Sequence, residues 1–291
     1  MKVCFAQNEN FSSTETRITY NVVQNLKKFG VEVLLNECTK DCDFIVSLNG
    51  LSQYRKFNSF KDNFPHIKTI MYVWDMYPWT DYSISYNMLK DYDQIWVPSN
   101  EVILRLKEFY DINPNKCKVI KAYAELYEAE GIKIENKKFV YHFAREYKDP
   151  NLGFCEIASK KTQIPIVTSR HNLSFESYKE NVLKCSFLVL DYMEASTGGL
   201  TMLEGYYHGK DILFSDSLYQ GGRDYFGDRA YYFKDKDIDD YIEKFKFLYE
   251  KSLNYEISDY EMQERKQFII NNYTIDVMTR NVVLNLKELN G

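Results

Sequence analysis

The stretch Phe187-Leu188-Val189-Leu190-Asp191-Tyr192-Met193-Glu194-Ala195-Ser196-Thr197-Gly198-Gly199-Leu200-Thr201-Met202-Leu203-Glu204, followed by Gly209-Lys210-Asp211-Ile212-Leu213-Phe214, decides how the chain folds. A short run of Phe, Leu and Val reads as a buried strand over 187–191. Gly198-Gly199 separates it from an apolar helix near Leu200–His208, and Asp211–Phe214 reads as the next strand. Strand, helix and strand in that order place the two strands parallel, because the helix carries the chain back across the sheet to its starting end.

The same alternation extends outward in both directions. Before it stand a strand at Phe139–Ala144, a helix from about Pro150 to Lys161, a strand at Ile164–Thr168 and a helix at Phe175–Cys185. After it come a short strand at Ala230–Phe233 and a helical region from Asp237 onward. At the other end, Lys2–Ala6 reads as a strand, and Ser12 and Glu15 stand in capping-box spacing at a helix start. Ile18, Val22, Leu26 and Phe29 follow at helical spacing, Gly30 ends the helix, and strands read at Val31–Leu35, Phe44–Leu48, Thr69–Trp74, Gln94–Pro98 and Lys118–Tyr123. A polar interval, Glu125–Lys138, divides the two sets and suits an interdomain linker. The expected fold is α/β, with two Rossmann-like domains facing a central cleft. One is residues 1–125 with a C-terminal helix of about 274–291 packing back on it, and the other is residues 126–273.

Composition narrows the function. With 37 Lys+Arg against 42 Asp+Glu the formal charge is -5, which excludes a globally basic, electrostatically driven nucleic-acid binder. The 6 cysteines form no CxxC pair and several lie in apolar runs, so reduced, buried thiols in a cytoplasmic protein are expected. The 4 histidines show no ligand spacing, and no metal is expected. The first residues make too short an apolar run for a signal peptide, and no window is apolar enough to span a bilayer; membrane contact is expected to be peripheral at most.

Ligands of open parallel sheets bind beyond the carboxyl ends of the strands. Arg145 and Lys148 follow the strand 139–144 and suit neutralisation of an anionic ligand, or else are two solvated charges in a loop. Gly198, Gly199, Leu200 and Thr201 open a helix after a strand, so their N–H groups are placed to approach a phosphate; the alternative is a plain strand-turn-helix with glycines for tight packing. Glu204, about one turn into that helix, is suited to accept a ribose hydroxyl.

At this point the sequence resembles a known family. Gly199-Leu200-Thr201-Met202-Leu203-Glu204 with Gly209-Lys210-Asp211-Ile212-Leu213-Phe214-Ser215-Asp216 is similar to the donor-site signature of GT-B retaining glycosyltransferases of family GT4. That signature reads E-G-F-G-L-P-x-x-E-A, then G-x-P-V-I-x-S-D. Phe143-Ala144-Arg145 with Lys148 is similar to the family's G-R and following Lys, whose cations hold the donor diphosphate. Tyr92–Ser99 resembles the N-domain strand ending V-x-x-S, and Glu261–Leu289 the last helix that crosses back. The pattern departs in places: Ser196 occupies the first Glu position of the E-x7-E pair, with Glu194 two residues upstream, and Ala144 replaces a Gly. Asn8–Ser13 stands where a Gly-Gly loop is usual, and Trp74 where a cleft His is usual.

The resemblance implies transfer of a hexose, with retention, from a nucleotide diphosphate sugar of the GDP-mannose or UDP-glucose type to a hydroxyl of a glycan or other acceptor, with no cofactor required. It implies donor contacts from Glu194, Ser196 and the 198–204 segment. Phe175 and Lys179 are expected on the base side, and Asp75 is a candidate for orienting hydroxyls, or else a helix cap. A non-catalytic nucleotide-sugar-binding protein is the alternative. Three D-x-D triplets, 41–43, 91–93 and 235–237, raise the lesser reading of a metal-dependent transferase.

Overall fold

The alternation becomes two separate parallel sheets in the computed structural model, which describes residues 1–6, 14–48, 60–73, 87–128, 139–143, 153–168, 174–191, 199–217 and 221–291. The chain divides into one unit of Met1–Tyr123 with Ile275–Gly291 and another of Ala124–Thr274.

The first unit is built on β1 (Lys2–Ala6), β2 (Glu32–Leu35), β3 (Phe44–Leu48), β4 (Lys68–Tyr72), β5 (Gln94–Val97) and β6 (Cys117–Val119). They pair in the order β2-β1-β3-β4-β5-β6, every pair parallel. Val3, Cys4, Ala6, Phe44, Ile45 and Val46 are fully enclosed, which is why these strands read as near-continuous apolar runs without alternation. Helix α1 (Thr14–Leu26) runs on through a single 3-10 turn to Gly30, whose φ of 72° is the left-handed stop a side chain would resist. Helix α2 (Asn100–Tyr110) follows β5. β6 is shorter than the strand read at Lys118–Tyr123: Ile120 N–H still donates to Val97 O at 2.8 Å, and the chain then leaves the sheet, with the second unit beginning at Ala124.

The second unit holds β7 (Val140–His142), β8 (Ile166–Thr168), β9 (Phe187–Leu190), β10 (Asp211–Ser215) and β11 (Tyr231–Phe233) in the order β11-β10-β9-β7-β8, again all parallel. Its helices are α3 (Phe154–Thr162), α4 (Phe175–Lys184), α5 (Leu200–Tyr207), α6 (Gly222–Phe226), α7 (Ile238–Asn254) and α8 (Asp259–Asn272). One core packs Leu188, Leu190, Met202, Leu203, Ile212 and Phe214 on one face of the sheet. A second packs Val140, Phe187, Val189, Leu213, Phe233 and Phe245 on the other. Period-2 alternation of side chains thus feeds both helical layers from the same strands.

The final helix, α9 (Ile275–Asn290), belongs to the first unit, where buried Asn25 of α1 donates to Asp276 Oδ1 at 2.9 Å and Thr279 Oγ1 at 3.0 Å. Within the second unit, Ala124 N–H donates to Tyr273 O at 2.8 Å, tying together its first and penultimate residues. Among the described residues no helix is long and apolar enough to cross a membrane.

The cysteine expectation is corrected at one pair. Cys4 and Cys38 are joined in a disulfide, while Cys42, Cys117, Cys155 and Cys185 are free and buried. The parallel register of Cys4 opposite Leu34 brings Cys38, just beyond β2, within bonding reach. Sequence spacing alone does not show that β1 and β2 are neighbours.

Candidate functional site

In the second sheet β7 lies between β8 and β9, so the chain runs outward from β7 in one direction and then returns on its other side. The switch point falls between β7 and β9, and the crevice beyond their carboxyl ends is where such sheets bind ligands. The sequence following these two strands carries Arg145 and Lys148 on one side and Glu194, Ser196 and Gly198 on the other; these five residues and Asp75 lie outside the described residues.

Gly199 caps α5 with φ 76°. A Cβ there would lie 3.3 Å from Met202 Cγ and 3.4 Å from Leu190 Cδ2, so both backbone conformation and space select glycine. Gly199 O accepts from Met202 N–H at 2.9 Å. The amides of Leu200 and Thr201 precede the intrahelical ladder and, with the helix dipole, favour an anion at this end. Deeper in the helix a Cβ on Gly205 would fall 1.9 Å from Leu188 Cδ1, so the absent side chain lets α5 lie close on β9. Glu204, one residue earlier, is buried and accepts a hydrogen bond from Tyr178 Oη of α4. Burial, and then the charge of Glu204, push the Tyr178 phenol well above its ordinary pKa. The hydroxyl therefore stays protonated and donating.

Phe175 and Lys179 share the face of α4 around an aromatic cluster. Lys179 Nζ stands 4.3 Å from the Phe175 ring centroid and 5.4 Å from that of Tyr127. Tyr127 meets Phe175 edge-on at 6.0 Å and His208, the residue closing α5, at 4.8 Å. Burial, followed by the charges of Lys266 and Lys210, lowers the His208 pKa to about 4.

Two residues that the sequence reading left out of the site stand at the switch point itself. His142 ends β7, Asp191 is the first residue past β9, and His142 Nε2 lies 2.8 Å from Asp191 Oδ1, both side chains buried. Burial alone would lower the imidazole pKa, but the Asp191 carboxylate overrides it and holds the proton well above the ordinary range. The available signal was one polar residue in each of two otherwise apolar runs, His142 within 139–144 and Asp191 at the end of 187–191.

The D-x-D triplets are occupied structurally. Asp41 pairs with Lys2 at 2.9 Å, and Asp43 accepts the Lys2 amide at 2.7 Å. Asp93 accepts the Thr69 amide at 2.7 Å and Lys61 Nζ at 3.0 Å, Asp235 accepts Ser215 Oγ at 2.8 Å, and Asp237 caps α7. Among the described residues no group of three or more His, Cys, Asp or Glu side chains is placed to hold a metal ion.

Two parallel, helix-covered sheets in one chain, matched end to end by solved glycosyltransferase structures, give this protein the GT-B fold. No family model matches the chain, and no curated protein matches it in sequence. A glycosyltransferase from Rickettsia africae ESF-5 covers 99% of this chain and 98% of its own, with a TM-score of 0.69 and 12% identity. Anabaena Alr3699/HepE in complex with UDP covers 99% and 100%, with a TM-score of 0.70 and 9% identity. Sucrose-phosphate synthase from Thermosynechococcus elongatus covers 99% and 99%, with a TM-score of 0.72 and 8% identity.

Proposed function

We propose that the protein is a glycosyltransferase moving a hexose from a nucleotide diphosphate sugar to an acceptor hydroxyl, with retention of configuration. The observation that carries this reading is the α5 start at the switch point, with Gly199 at its cap and buried Glu204 one turn further on. Among the matched structures, HepE has been captured with UDP and with UDP-glucose, which supports the UDP-glucose type of the two donor types, GDP-mannose and UDP-glucose, that the resemblance implies.

The chemical difficulty is the departing diphosphate, which gains negative charge as the glycosidic bond breaks. Arg145, Lys148 and the amides from Gly198 to Thr201 stabilise that charge, each preorganised donor being worth roughly 3 to 4 kcal/mol. Glu204, held by Tyr178, receives the ribose hydroxyls, while Phe175 and Lys179 flank the base. Glu194 or Ser196 reads the sugar, and Asp75 orients hydroxyls. The second unit is then the donor domain and the first the acceptor domain. Side chains neutralising the diphosphate leave no required role for a metal.

The test is calorimetric titration with UDP, GDP and ADP and their sugars, followed by donor hydrolysis and transfer. Arg145→Ala should lower turnover roughly 100-fold or more, and Glu204→Ala should weaken nucleotide affinity. Absence of binding by the wild-type chain sinks the reading. Binding without turnover on any acceptor favours the second reading, a nucleotide-sugar-binding protein, to which Ser196 at the first Glu position points. Turnover abolished by EDTA and restored by Mn²⁺ would favour metal dependence.

A further inference from the structure

A buried ion pair is a poor device for stability alone, since well-packed apolar residues of similar volume serve as well or better. Yet His142 and Asp191 occupy the sheet core beside fully buried Val140, Leu188, Val189 and Leu190. The pair joins the two strands that flank the switch point, where Phe143 N–H also donates to Val189 O at 3.1 Å. Two further elements close on it. Tyr241 of α7, fully buried, directs its hydroxyl to Asp191 Oδ2 at 3.4 Å, and the Cys155 thiol of α3 interacts with the imidazole. Arg145 follows His142 by three positions, and Glu194 follows Asp191 by three.

We propose that His142 and Asp191 are positioning residues for the donor site: their buried pair fixes the carboxyl ends of β7 and β9 against each other and so sets where the two ligand-bearing segments leave the sheet. The inference rests on the reading of that site as one for a nucleotide diphosphate. It assigns the pair no contact with substrate. The pair holds in register the two strand ends that precede, in sequence, the proposed diphosphate ligands Arg145 and Lys148 on one side and the start of α5 on the other. Small displacements matter there, because misplacement by about 1 Å can cost roughly 100-fold in rate.

The experiment uses the full chain and UDP as probe. Asp191→Asn keeps size and removes charge; His142→Phe with Asp191→Leu keeps packing and removes both polar groups; Tyr241→Phe removes only the hydroxyl. Leu248→Ala, a truncation in the same core but away from the pair, controls for lost stability. The expected result is a UDP Kd raised about tenfold or more in the double variant, with donor KM raised, acceptor KM unchanged and a smaller effect in Asp191→Asn. Leu248→Ala should lower Tm without moving the Kd. If the double variant does not fold, Tyr241→Phe decides: a weakened UDP affinity supports the proposal and an unchanged one overturns it. Pair variants that lose Tm but bind UDP like the wild type overturn the positioning role while leaving the donor site intact. A wild-type chain that binds neither UDP, GDP nor ADP overturns the site reading, and this inference with it.

Discussion

Tyr178 donates its phenolic hydroxyl to the buried Glu204 carboxylate. Tyr178→Phe removes the hydroxyl and leaves one Glu204 oxygen without that partner. A hydrogen bond to a charged group contributes about 1.5 to 3 kcal/mol, so the variant should unfold at correspondingly lower urea concentration, and its nucleotide affinity should fall. His208 acts through pH. Its folded pKa of about 4 lies below the ordinary 6.5, so the unfolded chain binds the extra proton first. The contribution is complete above pH 6.5 and is lost as pH falls toward 4. His208→Gln should therefore flatten the acid limb of Tm against pH relative to the wild type. His142 has the opposite sign: raised well above 6.5, it contributes below that pH and loses the contribution only as pH rises through its folded value.

Helix α5 and strand β9 are the elements on which the site depends, and their closeness is set by Gly205. An added methyl group would overlap Leu188, so Gly205→Ala should destabilise by about 1 to 3 kcal/mol, measured by urea unfolding, even though alanine favours helix. Gly199 resists substitution for a second reason, its positive φ. The helix start at Leu200 was legible from Gly198-Gly199 after an apolar run, and Phe187–Leu190 from its Val and Leu content. The partners of these elements were not. Tyr178 reaches Glu204 across 26 residues, and His142 reaches Asp191 across 49. No period or spacing rule encodes such distances; they follow from the order in which strands are laid into the sheet.

At the scale of the molecule, each unit carries its own sheet and its own core, so a ligand held by one should stabilise that one selectively. If UDP occupies the second unit, saturation at about 100 times its Kd should add roughly 2.7 kcal/mol to that unit. Differential scanning calorimetry should then show one transition moving with UDP and the other staying in place. A shift of both, or of neither, would count against a donor site built on β7, β9 and α5 alone.

What the sequence by itself determined is local: the alternation of apolar runs with helical periods, the parallel α/β class, and a glycine-led helix start beyond a strand. Each is written in the chemistry of residues a few positions apart, through side-chain burial, φ preferences and backbone hydrogen bonding. Tertiary structure alone decided the rest. It made β7 and β9 neighbours, paired His142 with Asp191, turned Tyr178 toward Glu204 and joined Cys4 to Cys38. These contacts depend on which surfaces the chain must bury together, and that choice is made by the whole core, not by any stretch within it.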